Sequence, residues 1–186
     1  METLNGFFKI RLVFGASQAV ISLLLNKTIP MNILMVCLGN ICRSPMAEGL
    51  MRQKIEKYRL EAEVDSAGFE SFHLGDLPDN RAIGVMKDNG IDISGHHMRV
   101  FRESDFELFD RIYVMDRYNY QDVASLVRKD SDLARVDYIL NAVEPGSNHL
   151  VPDPYYGGRQ GFENVYKLLD AATEAIAREI SRTSEK

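Results

Sequence analysis

The chain is poor in cysteine: 186 residues hold only two, Cys37 and Cys42, with four residues between them. This rules out the multi-bridge framework of a small secreted domain. With no C-x-x-C or H-x-x-x-H spacing, the partners of a four-ligand zinc site are missing too. Such usage fits a reducing, cytoplasmic location. Positive charge is also in deficit, with 22 Lys and Arg against 27 Asp and Glu for a net charge of -5. Nothing therefore draws the whole chain to nucleic acid or an anionic membrane, and any anion must be bound at a local basic site. A membrane-length apolar run is absent as well. LVFGASQAVISLLL, at 12–25, is 14 residues broken by Ser and Gln, against about 20 for a span. It runs into Asn26, Lys27 and Thr28 without a small-x-small cleavage site. Residues 1–30 are therefore read as an amphipathic helix or upstream extension rather than a signal or anchor, with Met31 as an alternative start. Internal repeats, low-complexity tracts and the G-x-x-x-x-G-K-[ST] phosphate loop are missing too.

What is present suits one globular domain over 31–186, with 45% hydrophobic and 26% charged residues. Asn32 to Val36 is a continuous apolar run, the pattern of a strand buried on both faces of a parallel sheet. Ser44 and Pro45 read as the N-cap and first position of a helix to about Tyr58, with Met46, Leu50, Met51 and Ile55 on one stripe. A second strand is expected over 63–67, and a helix after Pro78 that stops near Asn89-Gly90. RIYVM at 111–115 predicts a third strand, RYNYQDVASLV a third helix and VDYIL at 136–140 a fourth strand. Phe162, Val165, Leu168, Leu169, Ala172, Ile176 and Ile180 keep helical spacing in a long last helix. The alternation predicts an α/β fold, a single doubly wound domain.

In such folds ligands sit where a strand's carboxyl end feeds a helix N-terminus, and VCLGNICRSP at 36–45 falls there. The loop can surround an anion with backbone donors, and Gly39 permits close approach. Arg43 brings a planar fork able to grip two phosphoryl oxygens. A thiol in that setting is stabilised as thiolate by the amide dipoles, Arg43 and the Ser44 hydroxyl, which makes Cys37 a nucleophile aimed at the anion it helps to bind. The spacing alone also fits a buried structural cysteine beside a surface arginine; the flanking strand and Ser-Pro favour the chemical reading. Cys42 is open between simple packing and a reversible disulfide that shields Cys37.

VCLGNICRSPMAEGL, DSAG at 65–68, SGHHMR at 94–99, VMDRYN at 114–119 and DPYYGG at 153–158 together resemble the low-molecular-weight protein tyrosine phosphatase family. The resemblance implies a four-stranded parallel sheet of order 2-1-3-4 with helices on both faces. It implies Cys37 as nucleophile, Arg43 as phosphate clamp and Asp153 as general acid and then base. Leu38, Gly39, Asn40, Ile41, Cys42 and Ser44 would line the phosphate site, and Tyr155, Phe72 and Leu38 would wall a slot for the substrate ring. Phe72 is smaller than the aromatic common there, so the fit is looser. Asn40, in a left-handed conformation, would brace the loop with Ser66 and His96, while Asp116 would orient Arg43 or serve simply as a turn or N-cap residue.

No metal or cofactor is implied, and the partner is a phosphotyrosine-containing protein or peptide, not nucleic acid or membrane. Relatives that dephosphorylate phosphoarginine carry threonine where this chain has Ile41, and a less aromatic D-P loop; Ile41 and Tyr155 therefore favour phosphotyrosine. A protein arginine phosphatase of the same family and a catalytically idle phosphate-binding module are the alternatives. The cysteine relay of the related arsenate reductases cannot be built from Cys37 and Cys42 alone.

Overall fold

The computed structural model describes residues 30–184; the expected helix or extension over 1–30 lies outside them except for Pro30. The apolar run after Pro30 forms strand β1, Met31–Val36, and the elements that follow are helix α1 Arg43–Tyr58, strand β2 Ala62–Ala67 and helix α2 Asn80–Asp88. After them come a short helix α3 Asp105–Leu108, strand β3 Arg111–Val114, helix α4 Arg117–Ser125, a short helix α5 Asp130–Leu133, strand β4 Val136–Tyr138 and helix α6 Gly158–Ser184. The four strands are all parallel, in the order β2-β1-β3-β4.

β1 is central, and Ile33, Leu34, Met35 and Val36 are completely buried because successive side chains point to opposite, equally covered faces. Ile33 and Met35 join a core with Met46, Leu50 and Met51 of α1, Val85 of α2 and Phe162, Leu169 and Ile176 of α6. Leu34 and Val36 join the opposite core with Phe106 of α3, Val123 of α4 and Ile112 and Val114 of β3. Helices thus cover both faces. α1 is closed by Arg59 in the left-handed region, φ 51°, and the Asp79 carboxylate caps α2 by accepting from the Arg81 N–H at 2.8 Å.

Three local expectations are corrected. Ser44 is not the N-cap: α1 begins at Arg43, the capping position is Cys42 with no side-chain cap, and the Ser44 hydroxyl faces back into the preceding loop. β4 ends at Tyr138, and Ile139–Ala142 form a 3₁₀ turn that buries Ile139 and Leu140 without continuing the strand. A buried turn and a buried strand share the same apolar signature, so hydrophobicity alone does not separate them. Leu168 fits the stripe of α6 by spacing yet is among the exposed residues, at the edge of the helix's buried face.

Candidate active site

The sheet delivers its last rung at Cys37, whose N–H donates to the Ala67 carbonyl at 3.3 Å. From there the chain turns away toward α1, and the turn is held from outside. The Leu38 carbonyl accepts from the N–H groups of Phe69 at 2.7 Å and Glu70 at 3.2 Å, and the Ile41 carbonyl accepts from Asp79 at 2.8 Å. Asn40 is in the left-handed region at φ 50°, which asparagine tolerates better than most residues. Gly68 packs against this turn so tightly that a Cβ there would stand 2.6 Å from the Leu38 carbonyl oxygen and 2.8 Å from the Asn40 nitrogen. Among the described residues, no protein group accepts from the N–H groups of 39–44, so the turn offers a row of backbone donors ahead of a helix N-terminus.

Cys37 is buried, with its sulfur 3.0 Å from the Ser44 hydroxyl. Ser44 also accepts from the Asn40 amide at 2.8 Å, and that amide donates to Ser66 at the same distance. The Asn40 side-chain oxygen, Oδ1, takes the Arg99 N–H at 3.1 Å and lies 3.2 Å from His96 Nε2. Ser66 in turn donates to Glu48 at 2.6 Å, and Glu48 lies 3.2 Å from His96 Nδ1. Burial opposes the charge of Glu48, but His96, Ser66 and Arg52 together hold its carboxyl below the ordinary carboxylate value. Asn40, Ser66 and His96 therefore form one network with the Cys37 neighbour Ser44, whereas the His97 ring, among the described residues, meets the Gly75 carbonyl of the loop before α2 and takes no part in it.

Arg43 is 3% exposed, and both amino groups of its guanidinium are held. Asp116 takes one amino group at 2.5 Å, the Val151 carbonyl takes the same group at 3.3 Å, and Asp153 takes the other at 3.3 Å. Burial works against its charge, yet Cys37 and the two carboxylates outweigh burial and raise its pKa. Asp116 is the N-cap of α4 as well, accepting from the Asn119 N–H at 2.9 Å, so orienting Arg43 and capping a helix are one job. With the Asn119 amide turned to satisfy both neighbours, its oxygen accepts from the Leu38 N–H at 3.2 Å and its nitrogen donates to Asp116 at 3.3 Å. Cys42 differs from Cys37: burial first, then the negative charges of Cys37, Asp79 and Asp153, push its thiol far above the ordinary range. Both cysteines are free.

Asp153 arrives on a loop fastened at both ends. The Val151 N–H donates to the Met115 carbonyl beyond β3 at 2.9 Å, and the Tyr155 N–H donates to the Asp153 carboxylate at 3.0 Å. Arg81, tied to Asp79 at 2.6 Å, donates to the Tyr155 carbonyl at 2.7 Å and lies over the rings of Tyr155 and Phe162. Leu38, Tyr155 and Phe72 are exposed, and Phe72 tilts against His73, which borders Gly39. Ile41 is partly buried against the core. Glu48, Asn119, Gly68 and Arg81 are the participants that sequence reasoning missed. The signal for Glu48 was its place one helical turn after Ser44; Arg81 had none, since it reads as an ordinary surface charge.

A tight loop at the end of the central strand of a parallel sheet, holding a buried thiol beside a clamped guanidinium, marks an anion-handling α/β enzyme. The family profile for "Low molecular weight phosphotyrosine protein phosphatase" matches residues 32–186. The protein of that description from Schizosaccharomyces pombe is 43% identical over 142 residues, covering 74% of this chain and 90% of the relative. The crystal structure of protein tyrosine phosphatase from Entamoeba histolytica, with Hepes in the active site, superposes with a TM-score of 0.76 at 35% identity, covering 83% of this chain and 99% of that one. Vibrio vulnificus Wzb in complex with benzylphosphonate superposes at 0.71 with 27% identity, covering 80% and 98%. The chain belongs to the low molecular weight phosphotyrosine protein phosphatase family and is an enzyme of the protein-tyrosine-phosphatase class, a phosphoric monoester hydrolase. No helix among the described residues is long and apolar enough to cross a membrane.

Proposed function

We propose that the enzyme hydrolyses phosphotyrosine in proteins or peptides through a phosphocysteine intermediate, without metal or cofactor, in the cytoplasm. The observation that carries this reading is the pairing of a buried sulfur, 3.0 Å from the Ser44 hydroxyl, with a guanidinium held by Asp116 at 2.5 Å and Asp153 at 3.3 Å. The phosphoryl dianion takes the free N–H groups of the loop and the fork of Arg43. The Cys37 thiolate attacks phosphorus, a P–S bond forms as the P–O bond to the ring breaks, and Asp153 gives its proton to the departing phenolate oxygen. Water then attacks phosphorus, the P–S bond breaks, Asp153 takes the proton, and phosphate and thiolate are released. Leu38, Tyr155 and Phe72 flank the ring, a role supported by their exposure beside the loop. The benzyl phosphorus acid bound by the Vibrio relative supports an aryl group in that slot.

The test is turnover of para-nitrophenyl phosphate. Cys37→Ser is expected to lose more than about four orders of magnitude in kcat while still binding phosphate. Unchanged turnover in that variant rules out the sulfur as nucleophile. Comparing phosphotyrosine with phosphoarginine peptides decides the substrate, with phosphotyrosine the faster.

A further inference from the structure

A groove of about 740 Å³ leads off the loop and shares Leu38, Arg43 and Asp153 with the site. Neither Phe72 nor Tyr155 lines it, so it adjoins the proposed ring slot across Leu38 and extends away from the other two walls. Its remaining apolar surface comes from Tyr118, Leu150 and Pro152. Tyr118 is 76% exposed, Leu150 40% and Leu38 37%, which gathers apolar area at the rim of a reactive centre instead of scattering it over the surface. The platform is also fixed in place. Tyr118 stands in the first turn of α4, capped by Asp116, and Leu150 adjoins Val151, whose N–H and C=O are both bonded, to Met115 and Arg43.

Two opposite charges, Arg117 and Asp122, edge this groove, and neither forms an ion pair among the described residues. Arg43, Asp116 and Asp153, which also line the groove, are bonded to one another, so at the outer rim only Arg117 and Asp122 remain, of opposite sign, and apolar contact is left to select. A phosphotyrosine seated in the cradle brings its own chain across this rim, and an extended backbone advances about 3.4 Å per residue. A side chain two or three positions from the phosphotyrosine therefore falls on the groove.

Resting on the phosphatase reading above, we infer that this groove binds one large apolar side chain, leucine or aromatic, of the substrate polypeptide and so sets sequence preference around the phosphotyrosine. The test walks a single Leu or Phe through three positions on either side of phosphotyrosine in an alanine-rich peptide and measures kcat/KM with the full chain. One position is expected to give about a ten-fold gain over alanine, the order expected for a buried apolar side chain, while Lys or Glu there gives none. Leu150→Asp and, independently, Tyr118→Ala are expected to abolish that gain and to leave para-nitrophenyl phosphate turnover unchanged. A flat peptide series with normal turnover of the chromogenic ester overturns the groove alone. So does a gain that survives both variants. An unaltered protein that fails on the chromogenic ester overturns the phosphatase reading and the groove together.

Discussion

Gly68 is the residue on which the shape of the phosphate loop most directly rests. A methyl group there would press to 2.6 Å from the Leu38 carbonyl oxygen, a backbone atom that the Phe69 and Glu70 N–H groups hold in place. Gly68→Ala should therefore push the loop rather than a flexible side chain. We expect a stability loss of about 1–3 kcal/mol and a fall in kcat on para-nitrophenyl phosphate of at least about ten-fold, measured by urea unfolding and initial rates on the same preparation.

At this scale the sequence was most informative where residue type and local spacing carry the meaning. Asp116 meets Arg43, and Asn40 meets Ser66 and His96, as the family motifs bring them together. It was least informative where a polar residue works through a distant partner. Glu48 looks like one of several charges on an amphipathic helix, yet it is 7% exposed, and only the fold reveals the Ser66 and His96 that take it out of water.

Among the elements, α2 and the D-P loop are joined through Arg81, which ties the start of the helix to the Tyr155 carbonyl and lies over two aromatic rings. Removing it as Arg81→Ala leaves Asp153 on a looser segment. The expected result is a several-fold drop in kcat, about ten-fold at most, largest for aryl phosphates with poor leaving groups. A uniform effect across leaving groups would place the contact outside proton delivery. α1 and α6 are joined by a charged clasp in which Glu174 meets Tyr58, Lys57 and Lys54.

The Glu174 carboxyl is drawn from 4.5 to about 2, first by the Tyr58 hydroxyl, against the opposition of burial, then by Arg178, Lys57 and Lys54. A carboxyl lowered in the folded state adds stability above its unfolded value and loses it as pH falls through the folded one. The stability gap between the wild type and Glu174→Gln should close between about pH 5 and about pH 2, and solvent screening holds it to about 1 kcal/mol. Urea midpoints measured across that range are the check. Element types and order followed from hydrophobic period and punctuation by proline and glycine. The short helices α3 and α5 escaped notice because four residues carry no period, and the 3₁₀ turn after β4 passed for strand because its side chains are equally buried.

Across the whole molecule, one sheet separates two cores, and the loop leaves its central strand just after Val36 of one core and carries Cys37 and Cys42 of the other. Anything that occupies the loop in the folded state alone should stabilise the entire domain. Phosphate at about a hundred times its Kd adds about 2.7 kcal/mol and should raise the Tm by roughly 5–10 °C. Cys37→Ser should keep this shift and Arg43→Ala should lose it, each judged against its own ligand-free melting curve.

The double carboxylate grip on Arg43 also decides which solutes the pocket ignores. The guanidinium never waits bare; two carboxyl groups already hold its arms, so entry of a ligand is an exchange of partners and not the filling of an empty berth. Chloride brings a single charge and no geometry to match a planar fork, and it has little with which to dislodge a tethered carboxylate. A tetrahedral dianion offers two charges and several oxygens at once, enough to take over one arm of the fork while the loop amides receive the rest. Discrimination against the most abundant halide follows from what the resting enzyme has already bound to itself.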